Sequence, residues 1–421
     1  MNKAYTTNEH GLVVPTPETI QKALSTVTSL DQLEGKDNVL ASLFQQTVNA
    51  ALEAEMTEHL GYKKHEKKGS LNSRNGHGVK TLKTDYGETS VSIPRDRNGS
   101  FDPKIVPKHQ RTSKGIENKI LYLYSLGNTT SEITELLHEI YGFEVSPQYI
   151  STVTDKILPL VETWRSRPLD ECYPIIFLDA IRYKIRDTGS RTVENKAIYI
   201  VLGITVSGKK EVLGLYIQQN ESAKYWMNIL SDIQSRGVKD IMICCTDNLK
   251  GFNEAIKAIY PDTFHQTCII HQIRNSSRFV SYKDIKAFLK DLKKVYSAPD
   301  ELEALNQFEV FKDVWNTKYP YAIKSWESNW DNLMTFMQYP PAIRKLIYTT
   351  NSIEGLNRQL RKATKKRGSF PTDDSLMKCL YLTIQRIEAK QISVRDWNQI
   401  LNQLTIVFEE RFTQYIDPYM S

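Results

Sequence analysis

Apolar residues change their period near residue 170, and that change divides the chain. Before it the spacing is mostly helical. Leu40, Phe44, Val48, Leu52 and Met56 recur four apart, which predicts an amphipathic helix over 37–60. Residues 1–36 are polar and without period. Over 61–114 short alternating stretches are broken by Gly, Asn and Pro, as in KTLKTDYGETSVSIPRDR, and predict a β-hairpin. Its apolar positions Val79, Leu82, Val91 and Ile93 are too few for a core of its own. The hairpin is therefore expected to be ordered by what it binds or packs on.

Helical spacing returns over 116–158. One helix ends at Leu126-Gly127, and Thr129 or Thr130 caps a second that buries Ile133, Leu136, Leu137 and Ile140. Ser146 caps a third, Pro147–Leu158, with Pro147 at its first position. This is a helix–turn–helix pattern. Its third helix would offer Gln148, Tyr149, Ser151 and Thr152 to a major groove.

From about 170 the period becomes that of strands. YPIIFLDAIRYKIR, ENKAIYIVLGITVSG and KEVLGLYIQQ predict an antiparallel meander. A helix over 222–236, the buried strand KDIMICCTD, a helix over 250–259 and the strand FHQTCII follow. The order β-β-β-α-β-α-β is that of a ribonuclease H-like α/β core. Residues 272–345 read as a mostly helical insertion, and helices over 373–389 and 394–411 close the chain. The expected domains are a tail and amphipathic helix (1–60), a basic β-hairpin region (61–114) and a helix–turn–helix DNA-binding domain (115–168). The catalytic α/β domain (169–271 and 346–421) then encloses the insertion (272–345).

Charge sharpens this picture. Residues 61–114 hold 13 Lys/Arg against 5 Asp/Glu, a net +8 that leaves the rest of the chain at −2. Such a concentration suits a polyanion partner, with Arg95 and Arg97 among the contacts. Five irregularly spaced cysteines suggest a reducing compartment, and no apolar stretch reaches the length of a membrane span. The N-terminal residues lack the apolar run of a secretory signal, so a cytoplasmic protein is expected, nucleoid-associated when on DNA.

Candidate chemistry centres on TTNSIEGLNRQLRKATKKRGSFP. Glu354, Arg358, Arg361 and Lys365 fall on one helical face. A surface that binds only phosphate has no use for a carboxylate there, whereas a metal-dependent enzyme acting on nucleic acid does. Asp179 comes late in the first predicted strand and Asp247 at the end of the fourth, which lie side by side in this topology. Three carboxylates suit hard divalent cations, and phosphodiester chemistry of this kind uses two Mg²⁺ ions roughly 3.5–4 Å apart. Asp187, Glu194 and Glu254 read as solvated. A solvated helix with i,i+4 ion pairs is the plain alternative for the Glu354 segment.

Several long segments, in order, resemble a known family: RNGHGVKTLKTDYG, SIPRDRNGSFDPKIVPKHQR, FLDAIRYKIR, TDNLKGFNEAI, QTCIIHQIRN and IRKLIYTTNSIEGLNRQLRKATKKRGSFPTDD. Over roughly 35–410 the chain resembles bacterial insertion-sequence transposases of the mutator type, with an Asp-Asp-Glu triad. The resemblance implies that Asp179, Asp247 and Glu354 carry Mg²⁺, with Mn²⁺ able to substitute and no organic cofactor. It implies that Arg361, with Arg358, Lys362, Lys365 and Arg367 nearby, holds DNA. The partners implied are the element's terminal inverted repeats and target DNA, handled by a homodimer away from membranes. Gly355 departs from the family's usual Ser. Cys268 and His271 match a Cys-x-x-His feature, read as packing or hydrogen bonding beside the site, with DNA contact or metal as alternatives. Among Trp315, Trp326 and Trp330, core packing competes with base stacking, for which Trp330 is the candidate. A catalytically inactive DNA-binding regulator and a hydrolysis-only ribonuclease H-like nuclease are the competing functions.

Overall fold

A computed structural model of the protein describes residues 5–7, 13–25, 27–29, 39–66, 71–186, 192–219, 222–247, 251–348, 351–390 and 393–416. The chain forms two units that meet in sequence between Lys156 and Ile157.

The first unit opens with a small antiparallel pair, β1 (Tyr5–Thr7) and β2 (Val13–Pro15), and helix α1 (Pro17–Leu24). The described part of the tail is thus ordered, contrary to its irregular composition. The local reason is a Thr16 cap followed by Pro17 at the first helical position. Helix α2 (Val39–Leu60) buries Val48, Leu52 and Met56 of the predicted stripe, while Leu40 remains exposed. Strands β3 (Arg74–Thr84) and β4 (Gly87–Asp96) form the predicted basic hairpin. Val48 and Leu52 of α2 pack with Leu82, Val91 and Val106, so a helix of the same unit gives the hairpin its core. Val79 is exposed and contributes nothing to that core. Helices α3 (Lys114–Ser125), α4 (Thr130–Tyr141) and α5 (Pro147–Asp155) form the helix–turn–helix pattern. Thr129 and Glu132 make a capping box on α4, and Ser146 caps α5. Ile133 and Leu137 are buried, but Ile140 is exposed, two residues before the Gly142 cap that ends α4.

The second unit begins with α6 (Leu158–Ser166), whose Trp164 packs edge-on against Tyr381. Its sheet comprises β5 (Cys172–Arg186), β6 (Val193–Ile204), β7 (Lys210–Gln218), β8 (Asp240–Thr246) and β9 (Phe264–Thr267). The strand order is β7-β6-β5-β8-β9, antiparallel among the first three and parallel from β5 through β8 to β9. Helices α7 (Ala223–Ser235) and α8 (Phe252–Ile259) cover one face, burying Trp226, Ile229, Ile233 and Phe252 against Tyr173, Leu178 and Tyr199. The predicted element order is therefore the one the chain adopts, in a mixed α/β architecture. Helix α9 (Ile269–Ser277) leads into the helical segment α10 (Tyr282–Tyr296), α11 (Glu301–Trp315), α12 (Pro320–Glu327), α13 (Trp330–Met334) and α14 (Pro341–Ile347). Helices α15 (Asn351–Thr364), α16 (Asp373–Glu388) and α17 (Trp397–Thr413) complete the unit. Among the described residues no helix is long and apolar enough to cross a membrane.

Candidate active site

Strand β5 is the scaffold of the site. It pairs with β6 as far as Arg186↔Val193, but with β8 only from Cys172↔Asp240 to Phe177↔Cys245. Two residues past that last parallel pair stand Asp179 and Asp247, so register alone sets the two carboxylates side by side. They lie at the C-terminal end of the parallel pairing, where open α/β sheets hold their ligands. Asp179 is mid-strand rather than late, because antiparallel pairing with β6 continues after β8 has ended.

Helix α15 supplies the opposite wall. Ile353, Leu356, Leu360 and Ala363 form its buried stripe. Glu354, Arg358 and Arg361 face a cavity of about 250 Å³ that they share with Asp179, His271, Arg274 and Asn357. Three of the four residues of the predicted face, Glu354, Arg358 and Arg361, thus line one cavity, and α15 packs on β5. Lys362 is exposed on the same helix, and exposed Lys365 follows its end. Arg367 is half-buried, its guanidinium 5.1 Å from the Phe370 ring centroid, so it braces the turn after α15.

Cations and amides compensate the acidic charge. Arg274 Nη1 lies 2.6 Å from Glu354 Oε1. Asn357 Nδ2 donates to Asp179 Oδ2 at 2.5 Å, and the Ala180 N–H donates to Asp179 Oδ1 at 2.8 Å. Burial pushes the Asp179 carboxyl up to about 6, and Asp247 pushes it the same way; His271, the Ala180 N–H and Arg361 oppose the rise. A hydrogen bond with Cys268 pushes His271 up to about 9 against its burial, and the charges of Asp179 and Asp247 add to the effect. The acidic pair thus favours the protonated form of the imidazole. Among the described residues no three His, Cys, Asp or Glu side chains stand ready as a metal cluster. Glu354 faces Arg274 instead.

The Cys-x-x-His feature now has a structural account. Cys268 is the N-cap of α9, its sulfur accepting the His271 backbone N–H at 3.4 Å. His265 shares a 2.7 Å hydrogen bond with Thr246 and is buried enough to be pushed down to about 4. Trp330 is half-buried against Phe308, with ring centroids 5.0 Å apart. Trp326 is fully buried and donates to Ser276, and Trp315 donates to Asp291. Glu254 is exposed on α8 and Glu194 is half-buried on β6, while Asp187 lies outside the described residues.

In the first unit, Gln148 and Thr152 are exposed at the start of α5. Tyr149 is half-buried there, its hydroxyl donating to Glu117 of α3 at 3.2 Å. Lys80, Lys83 and Arg111 line a cavity of about 600 Å³ together with Ser146 and Tyr149. Arg95 and Arg97 are exposed at the end of β4.

Two site residues escaped the sequence reading. Asn357 carried a usable signal, since it is a polar residue within the buried Ile353-Leu356-Leu360 stripe. Arg274 carried only its spacing, three residues after His271 on α9.

The geometry defines an α/β protein with two carboxylates set by register at a sheet end and a cationic helix alongside. A family model described as "Transposase, Mutator family" matches residues 16–394. The chain is 44% identical over 380 residues to a probable transposase for insertion sequence element ISRM3-like of Sinorhizobium fredii, covering 90% of this chain and 94% of that one. It is 43% identical, with the same coverages, to the transposase for ISRM3 of Rhizobium meliloti. It is 27% identical to the transposase for IS256 in transposon Tn4001 of Staphylococcus aureus, covering 83% and 90%. Among solved structures it is similar to a Drosophila P element transposase strand transfer complex, at 11% identity and a TM-score of 0.29, over 71% of this chain and 87% of that one. The chain belongs to the mutator family of transposases, and DNA is its partner.

Proposed function

We propose that this chain binds the terminal inverted repeats of an insertion sequence and catalyses divalent-metal-dependent strand cleavage and strand transfer. Asp179, Asp247 and Glu354 are the catalytic residues and hold the metal, on a ribonuclease H-like core. One observation carries the reading. Residues distant in sequence meet where β8 ends, and Asp179 and Glu354 share a cavity walled by Arg358 and Arg361. The order of three antiparallel strands followed by two parallel ones supports the ribonuclease H-like assignment.

The donor set fits Mg²⁺ or Mn²⁺, since all three groups are hard oxygen donors. Asp179 is a carboxyl that burial makes costly to ionise, a cost that a divalent cation relieves. When bound, such ions supply an activated oxygen nucleophile and stabilise the leaving oxygen. The chain's own residues prepare the rest. Asp179 is oriented by Asn357 and Ala180, and Glu354, which here pairs with Arg274, would be the third acid to hold the cation. Arg358, Arg361, Lys362 and Lys365 hold the sugar–phosphate backbone along α15. In the first unit, Gln148 and Thr152 read a major groove, Tyr149 is held by Glu117, and the basic hairpin with Arg95 and Arg97 holds phosphates. Two copies of the chain hold the two ends of the element.

The test uses oligonucleotides bearing the terminal repeats, with Mg²⁺ or Mn²⁺. Asp179→Asn, Asp247→Asn and Glu354→Gln each abolish cleavage and joining while end binding persists. Retained cleavage in any of the three rejects that residue's role. Cut but never joined strands from the wild type reject transfer.

A further inference from the structure

Asn357 stands one turn after Glu354 on α15, within the helix's buried stripe, and is only 5% exposed. Its side chain lines the carboxylate cavity. An ionised carboxylate only accepts hydrogen bonds, so the amide must turn Nδ2 toward Asp179, as the 2.5 Å contact shows. That leaves Oδ1 as the amide's remaining acceptor. Among the described residues this buried oxygen has no hydrogen-bond partner. An unmet buried acceptor costs about 1–3 kcal/mol. A helix that merely needed packing here would hold Leu or Ala, as at Leu356, Leu360 and Ala363. Mg²⁺ characteristically keeps several waters, and those waters are donors in search of acceptors.

We propose that Asn357 is a positioning residue of the metal site: Nδ2 fixes the Asp179 carboxylate, and Oδ1 accepts a hydrogen bond from water carried by the divalent cation. The inference rests on the carboxylate reading given above and extends it to a group outside the acidic triad. It also ties α15, which carries Glu354, to β5, which carries Asp179. Outer partners of this kind typically change metal affinity by about 10–100-fold when removed.

The experiment measures Mn²⁺ binding to the full-length protein without DNA, by calorimetry and by electron paramagnetic resonance. The proteins are wild type, Asn357→Ala, Asn357→Asp and Asp179→Asn, and thermal melting in chelator verifies that each is folded. Asn357→Ala is expected to weaken Mn²⁺ by about 10–100-fold. Asn357→Asp keeps an acceptor oxygen and adds charge, so it should bind clearly more tightly than Asn357→Ala. Mn²⁺ affinity in Asn357→Ala within about twofold of wild type, with binding lost in Asp179→Asn, overturns the proposal and spares the carboxylate reading. Asn357→Asp as weak as Asn357→Ala overturns the acceptor role of Oδ1. Binding undiminished in Asp179→Asn overturns the carboxylate reading and the proposal with it.

Discussion

Asp179→Asn should make the metal-free protein more stable while removing its activity. Asp179 is a carboxyl that burial raises from 3.8 to about 6. Keeping it ionised at neutral pH therefore costs the folded state about 3 kcal/mol, at about 1.4 kcal/mol per pH unit. The native carboxyl keeps its proton to about 6 and the unfolded one releases it near 3.8, so wild-type stability falls as pH rises between those values. An asparagine removes the charge but keeps only one side-chain oxygen, so it still accepts from the Ala180 N–H while Asn357 must turn its own amide oxygen toward the new NH2. Part of the gain is lost because His271, whose protonated form Asp179 supports, loses a counter-charge. The net expectation is about 1–2 kcal/mol. At roughly 2–4 °C per kcal/mol, that is a rise of a few degrees in Tm above about pH 7, shrinking toward zero near pH 4. The assay is thermal melting of both proteins in chelator across that range, then in Mg²⁺, which should stabilise the wild type more than the variant. A variant less stable than wild type at about pH 8, or an equal difference at every pH, refutes the electrostatic reasoning.

Three further outcomes can be checked. Arg274→Ala frees Glu354 from its ion pair; because Arg274 is more than half exposed, the effect is screened, and Mn²⁺ affinity should rise by no more than about fivefold in calorimetry. Arg95→Ala and Arg111→Ala, in the first unit, should each reduce the slope of log affinity against log salt by about 1 in binding titrations with duplex DNA, across sequences alike. Gly355→Ala should stabilise α15 by up to about 1 kcal/mol in urea unfolding, since a Cβ there meets no atom within 4 Å.

What the sequence revealed, and what it withheld, follows from the range of the forces involved. Caps and periods are local, so Thr129, Ser146 and the strands of the sheet could be read directly. Burial on an amphipathic element depends on what faces it. Val79 and Ile140 therefore satisfied their periods yet lie exposed, and the hairpin found its core on α2. The acids could be named because a strand end and a basic helix are each visible in one dimension. Their compensation could not. Arg274 meets Glu354 across 80 residues, and Asn357 meets Asp179 across 178. Only the fold makes such pairs neighbours.

Those pairs show what offsets the acids' charge within the protein itself. Clustered carboxylates repel, and a buried one is disfavoured further. Here the acidic charge is offset piece by piece: Asp179 is held by amide donors, the His271 imidazole is pushed toward its protonated form, and Glu354 leans on Arg274. Each support comes from α9, α15 or β5 itself, the same elements that wall the cavity. Arg274 is also the support most open to solvent, which makes it the one that an arriving phosphate can draw away. If Glu354 holds metal as proposed, DNA binding and metal binding would be coupled through this one guanidinium. On this logic Mn²⁺ binding should tighten when end DNA is added to the wild type, and that tightening should vanish in Arg274→Ala.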